Sequence, residues 1–216
     1  MILPRFLSLL LLVAFEQMFL DFRLFLPLSF LLDFVEREPR FQELVQVAEK
    51  LGYELLTPPE GIIGTKGFNG DAEKMWAWVY ENAPQADIAV LSTDSLIYGS
   101  LVGSRTHSLD AETILERARR FKTFNEKFPY MTIYAFGTVM RTPSYNFKGE
   151  VPYYETHGAK IFQYTALLDK QEMGLLKGGD NRTLKKLSTE IPQEYLDDWF
   201  KRRAKNSDAN ELFIEY

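Results

Sequence analysis

Short apolar runs and longer helical stripes take turns along this chain. The clearest run is Ile88-Ala89-Val90-Leu91, continuous as a strand buried on both faces of a parallel sheet requires. It stops at Ser92-Thr93-Asp94-Ser95, small polar residues where the carboxyl end of that strand would lie. Upstream, residues 24–26 predict a first strand leading to Pro27. Phe41, Leu44, Val45, Val47, Ala48 and Leu51 recur at helical spacing, which predicts a helix over about 39–51 with Gly52 just past its end. Residues 53–57 read as a second strand, closed by Pro58-Pro59, which cannot donate to a ladder. Asp71 stands where it would cap a helix through Met75, Trp76, Val79 and Tyr80, and Pro84 ends that helix.

Beyond Arg105 the same rhythm continues. Asp110 caps a predicted helix over 111–127 whose apolar face is Ile114, Leu115, Ala118, Phe121 and Phe124, with Arg117, Arg119, Arg120 and Lys122 outside. Pro129 breaks it, and residues 131–136 predict a strand that feeds Gly137-Thr138-Val139-Met140-Arg141. From Ser144 the texture changes to helices near 152–169 and 192–214, joined by a polar connector containing Gly178-Gly179-Asp180. Strands alternating with helices of this length predict the α/β class. The expected architecture is a mainly parallel sheet with flanking helices, a partial Rossmann-like or barrel-like βα repeat, followed by a helical extension. The core is then 21–143 and the extension 144–216, which stops inside a continuing helical pattern and reads as cut short, a fragment.

The first twenty residues stand apart. Arg5 followed by the apolar stretch 6–15 predicts a signal peptide or an uncleaved membrane anchor, and so an exported or envelope-anchored protein. A membrane hairpin with the broken apolar run 24–32, or a segment foreign to the natural protein, are the rival readings. Membrane contact is expected only through residues 1–20.

Composition narrows the function classes. With 46% hydrophobic and 14% aromatic residues the chain has the makings of a packed core. Thirty acidic against 25 basic residues give a net charge of −5, which argues against nucleic acid as the partner. The nearest thing to a basic block interleaved with aromatics, Lys201-Arg202-Arg203, reads as a solvated helix face. Cysteine is absent and the histidines are only His107 and His157, so disulfides, thiolate sites and a multi-histidine zinc site are not expected. No metal or cofactor is assigned.

Candidate chemistry gathers at the strand ends, where ligands bind in open α/β sheets. Asp94 is the candidate acid or base, and its other reading is a side-chain cap of the turn or helix that follows. Ser92 and Thr93 beside it, with Arg105 and Arg141, are the candidate substrate-binding residues. The two arginines can converge on an anion such as a carboxylate or phosphate, or else one pairs with Asp94 to stiffen the loops. A small-molecule ligand is the expected partner, and hydrolysis the expected reaction class, with a non-catalytic binding domain as the alternative. The glycine-rich stretch 61–70 lacks the Gly-Lys-Ser/Thr order of a phosphate loop and reads as a flexible surface loop. His107 reads as an exposed loop residue, His157 as packed or half-buried, and Trp76, Trp78 and Trp199 as core rather than as sugar-stacking platforms.

The run L-S-T-D-S-L-I-Y-G-S-L-V-G-S-R (91–105) resembles the signature of a bacterial family catalogued as domain of unknown function 4127. Gly52-Tyr53-Glu54 with Pro58-Pro59, Tyr134-Ala135-Phe136 with Met140-Arg141, and Tyr153-Tyr154-Glu155 before Gly158 follow in the family's order. The stretch from Tyr195 to Asn210 is similar to its tyrosine- and arginine-containing helix. The resemblance covers most of 50–216 and implies the amino-terminal part of a longer protein. It implies architecture and candidate residues, and no activity. It also implies a polar Pro-Leu-Asp loop after the first strand, whereas here Leu26-Pro27-Leu28 runs into Ser29-Phe30-Leu31-Leu32. That departure reads either as a degenerate copy without independent activity or as a reading-frame change between about 29 and 40.

Overall fold

The computed structural model describes residues 25–27, 46, 50, 54–64 and 68–215. The expectations for residues 1–20 and for the segment after Pro27 lie outside them. Of the helix expected over 39–51, Gln46 and Lys50 are described; both are helical and exposed, as the polar side of that stripe should be.

Among the described residues, four short strands form two parallel pairs. Strand β1 (Phe25–Pro27) pairs with β2 (Glu54–Leu56), Leu26 opposite Leu55. Pro27, which has no N–H to give, sits at the last position of its ladder. Strand β3 (Ile88–Ser92) pairs with β4 (Thr132–Phe136) from Ile88 opposite Thr132 to Ser92 opposite Phe136. β1 also lies against β3. No ladder joins β1 to β3 among the described residues, and with the two pairs side by side on that contact the succession is β2-β1-β3-β4, in which chain progress reverses between β1 and β3. Doubly wound open sheets share this order, and the α/β class expected from the sequence is borne out. Every residue of β3 is buried, as its unbroken apolar run requires, whereas β4 carries exposed side chains such as Tyr134.

The helices form where caps and stripes meet. Asp71 accepts from the Glu73 and Lys74 amides at 3.1 Å and starts α1 (Ala72–Asn82), whose buried face is Ala72, Met75, Trp76 and Val79. After β3 come two short helices, α2 (Thr93–Tyr98) and α3 (Gly103–Thr106). Asp110 accepts from the Thr113 amide at 2.8 Å and opens α4 (Ala111–Lys127), which buries Ile114, Ala118, Phe121 and Phe124. Arg117, expected outside, instead turns inward to the carbonyl of Ile97 and pairs with Glu73 at 2.9 Å. It places a cation at the last turn of α2, where the free carbonyls carry partial negative charge. Trp76 packs edge-on against Phe121 at 4.8 Å, at the centre of the core between α1, α4 and the sheet.

The extension contains α5 (Tyr154–Glu172), α6 (Asp180–Glu190) and α7 (Gln193–Glu215). Helix α6 occupies the stretch read as a polar connector. Its apolar stripe is only Leu184 and Leu187, too thin to announce a helix, and packing against α5 supplies what the pattern lacks. Met140, Tyr154, Ile161, Leu187, Leu196 and Trp199 form a second core. Helix α7 belongs to both cores: Leu196 and Trp199 lie in the second, while Ala209, Leu212 and Phe213 join the first. Phe213 meets Phe121 edge-on at 4.9 Å, so the last turns of α7 are docked onto α4.

Candidate functional site

The carboxyl end of β3 turns directly into a helix. Ser92 is the cap of α2, its hydroxyl accepting from the Ser95 amide at 3.2 Å. Thr93 and Asp94 then occupy the first helical turn, and Ser92, Thr93 and Asp94 are exposed by only 0%, 4% and 2%. The capping role considered for Asp94 thus falls to Ser92, two residues earlier. Helix α2 closes at Gly99, whose φ of 91° is left-handed, and the Gly99 carbonyl accepts from Gly70 at 3.1 Å. This contact corrects the flexible-loop expectation for part of 61–70. Gly64 is buried and Gly70 lies against Gly99, because only backbones without Cβ atoms approach that closely. Gly61 is exposed, as expected.

Asp94 reaches across to the loop that follows β4. Its Oδ2 accepts from the Thr138 amide at 3.0 Å and its Oδ1 from the Thr138 hydroxyl at 3.2 Å. The carboxylate therefore ties the first turn of α2 to the loop after β4. Gly137 permits this closeness, since a Cβ there would stand 2.0 Å from the Thr93 hydroxyl oxygen. From α7, Asn210 reaches the Thr138 carbonyl at 3.5 Å and Arg203 donates to the Met140 carbonyl, so the 137–141 loop is held from both sides.

The two predicted arginines do converge on an anion, and that anion is Glu150. Arg105 meets its Oε1 at 3.3 Å and Arg141 meets the same atom at 2.7 Å. The Glu150 side chain is 7% exposed, Arg105 18% and Arg141 37%. The carboxylate paired with Arg105 is thus Glu150, in place of the Asp94 partner considered from the sequence. Arg141 also lies over the Phe147 ring at 4.8 Å. Arg105 of α3 and Arg141 of the loop after β4 thus share Glu150, and the segments after β3 and β4 meet again where Asp94 of α2 reaches Thr138.

A second polar network lies between α3 and α7. His107, expected on the surface, is buried at 8% exposure and stacks on Tyr98 at 4.8 Å. Asn206 donates to the Ser104 carbonyl at 2.7 Å, which orients its amide so that Oδ1 faces the imidazole Nε2 at 2.9 Å. That geometry selects the Nε2–H tautomer, and burial pushes the His107 pKa down to about 4. Arg202, expected on a solvated face, is 6% exposed and donates from Nε to the His107 carbonyl at 3.0 Å. It also grips Asp198, whose Oδ2 accepts from the Tyr153 hydroxyl at 2.6 Å. Burial, reinforced by that hydrogen bond, pushes the Tyr153 phenol up.

Of the residues singled out in the sequence, Ser92, Thr93 and Asp94 sit together at the end of β3, while Arg105 and Arg141 sit together at Glu150. Thr138, Glu150, Asp198, Arg202 and Asn206 were not singled out as site residues. Thr138 carried a signal, a hydroxyl in the polar run at a strand end. Glu150 carried none, being a lone acid between Gly149 and Val151. His157 is half-buried, and Trp76 and Trp199 are core, as read from their spacing. Among the described residues no group of three or more acidic or imidazole side chains is placed to hold a metal ion, and no helix is long and apolar enough to cross a membrane.

The fold and this arrangement define an α/β protein with polar groups clustered at the carboxyl ends of parallel strands. The sequence profile of the family described as Protein of unknown function (DUF4127) matches residues 30–216, and the chain belongs to that family. No curated protein and no solved structure matches it.

Proposed function

We propose that this chain forms a small-molecule site at the carboxyl ends of β1, β3 and β4, with Asp94 as its acid–base group and Arg105 and Arg141 as its grip on a polar substrate. Hydrolysis is the reaction class this reading assigns. The observation that carries it is the position of Asp94, a carboxylate 2% exposed at the end of β3, next to the point where the strand succession reverses. Ligands of open α/β sheets bind in the crevice outside that reversal. A carboxylate held from the side by Thr138 keeps a fixed direction, which proton transfer to or from a water or a leaving group requires.

The binding-domain reading is favoured by a different observation: both Asp94 oxygens are engaged by Thr138, as a structural tie between two loops would be. The two readings separate on turnover. The full chain is assayed against nitrophenyl esters, glycosides and phosphoesters, then again as Asp94→Asn, with urea unfolding to check the fold. The proposal expects hydrolysis of one class and a loss of about a hundredfold or more in kcat for a folded Asp94→Asn. Hydrolysis that Asp94→Asn leaves intact refutes the acid–base role. No hydrolysis by a folded wild type, with a ligand still raising its Tm, establishes the binding domain instead.

A further inference from the structure

We propose that Arg105 and Arg141 form an oxyanion site that Glu150 fills from within the chain, and that a ligand bearing a phosphate or carboxylate group takes its place. This rests on the reading of the two arginines as the grip of the strand-end site, and adds its ligand class and its internal competitor.

The geometry of the cluster points that way. A guanidinium matches a carboxylate best through two parallel N–H bonds to two oxygens. Here both arginines crowd onto one oxygen, Glu150 Oε1, and the Arg105 contact is long at 3.3 Å. Donors remain unused around it. The Arg105 Nε is buried without a hydrogen-bond partner, and so is the hydroxyl of Tyr154, a residue only 1% exposed. Tyr154 adjoins the cluster through the Phe147 ring, 5.6 Å from its own; burial first, then the Glu150 charge, push its pKa up to about 12, with Asp198 adding to the rise and Arg202 and Arg141 opposing it. Buried donors are rarely left unanswered, and an anion with three or four oxygens can answer more of them than the single oxygen of Glu150 that the arginines share. Two guanidinium groups against one carboxylate also leave one positive charge over.

Access and release are built in. The Arg141 side chain is 37% exposed, so an anion can reach the pair from solvent without crossing the core. Glu150 follows Gly149, which has φ 106°, is exposed and has nothing within 4 Å of where a Cβ would be. The carboxylate therefore hangs from the end of an exposed stretch. Arg141 keeps its place over Phe147 when that carboxylate leaves, so the site stays formed.

The test is the affinity of the full chain for inorganic phosphate, measured by titration calorimetry and thermal shift at constant ionic strength, with acetate run in parallel. Removing the internal competitor should tighten binding, so Glu150→Gln is expected to bind phosphate about tenfold more tightly than wild type. Adding Arg141→Gln to that variant is expected to abolish the gain. Acetate reproducing the gain where phosphate does not would assign a carboxylate ligand. Should Glu150→Gln fail to fold, Glu150→Asp keeps the charge, shortens its reach and must show the same tightening. Phosphate and acetate both binding no more tightly to these variants than to wild type overturns the proposal, as does a gain that survives Arg141→Gln. The outcome is separable from that for Asp94: tightening together with hydrolysis that Asp94→Asn leaves intact overturns only the acid–base role, and hydrolysis lost in Asp94→Asn without any tightening overturns only the displacement.

Discussion

Acidification should act on this fold first through His107. The ring is 8% exposed, stacked on Tyr98 and hydrogen-bonded to Asn206, and burial lowers its pKa from 6.5 to about 4. Arg202 and Lys205 repel a proton on it, while Asn206 and Asp198 favour one. In the unfolded chain the imidazole takes up a proton as pH falls through about 6.5, whereas the folded chain refuses it until about 4. The unfolded state binds more protons in that window, so stability falls as pH falls through it and is unaffected by this group above it. The full gap corresponds to about 3 kcal/mol, or about 2 kcal/mol after allowance for residual solvent screening. Urea unfolding of wild type and His107→Gln at about pH 7 and about pH 4.5 isolates the contribution, because every other titrating group is common to both. Wild type should lose about 2 kcal/mol more than the variant over that interval. Equal losses would refute the burial of a neutral imidazole against Asn206.

Three further substitutions test the packing around the site. Trp76→Ala removes the side chain at the centre of the first core and should cost about 3–5 kcal/mol in urea unfolding. Gly137→Ala forces a Cβ to within 2.0 Å of the Thr93 hydroxyl oxygen unless the loops part, and should cost about 1–3 kcal/mol, read from the same assay. Asp198→Ala leaves the buried guanidinium of Arg202 without its carboxylate and should cost about 2 kcal/mol, the partial exposure of Asp198 keeping the figure below that of a fully buried pair.

The frame of the molecule was readable from its sequence because strands and amphipathic helices write their burial into local period. The unbroken run at β3, the stripe of α4 and the caps Asp71 and Asp110 all stand where that reading puts them. Helix α6 was not readable, since a helix that buries one leucine is stabilised by its neighbours rather than by its own pattern. The site divides in the same way. Ser92, Thr93 and Asp94 follow a strand and so announce a strand end. Glu150 meets Arg105 from 45 residues away and Arg202 meets His107 from 95, pairings that no local period encodes. Arg202 in particular sits in a charged triplet whose neighbour Lys201 is exposed, and only the docking of α7 decides which member turns inward.

On the proposed function, the carboxylate beyond β3 and the arginine pair serve one ligand in different ways. The most direct measurement is kcat and KM for whichever test substrate the wild type hydrolyses, compared with folded Asp94→Asn and Arg141→Gln. Asp94→Asn is expected to lower kcat about a hundredfold or more while KM stays near wild type, and Arg141→Gln to raise KM while kcat changes little. Asp94→Asn turning over at the wild-type rate, or Arg141→Gln leaving KM unmoved, would contradict it.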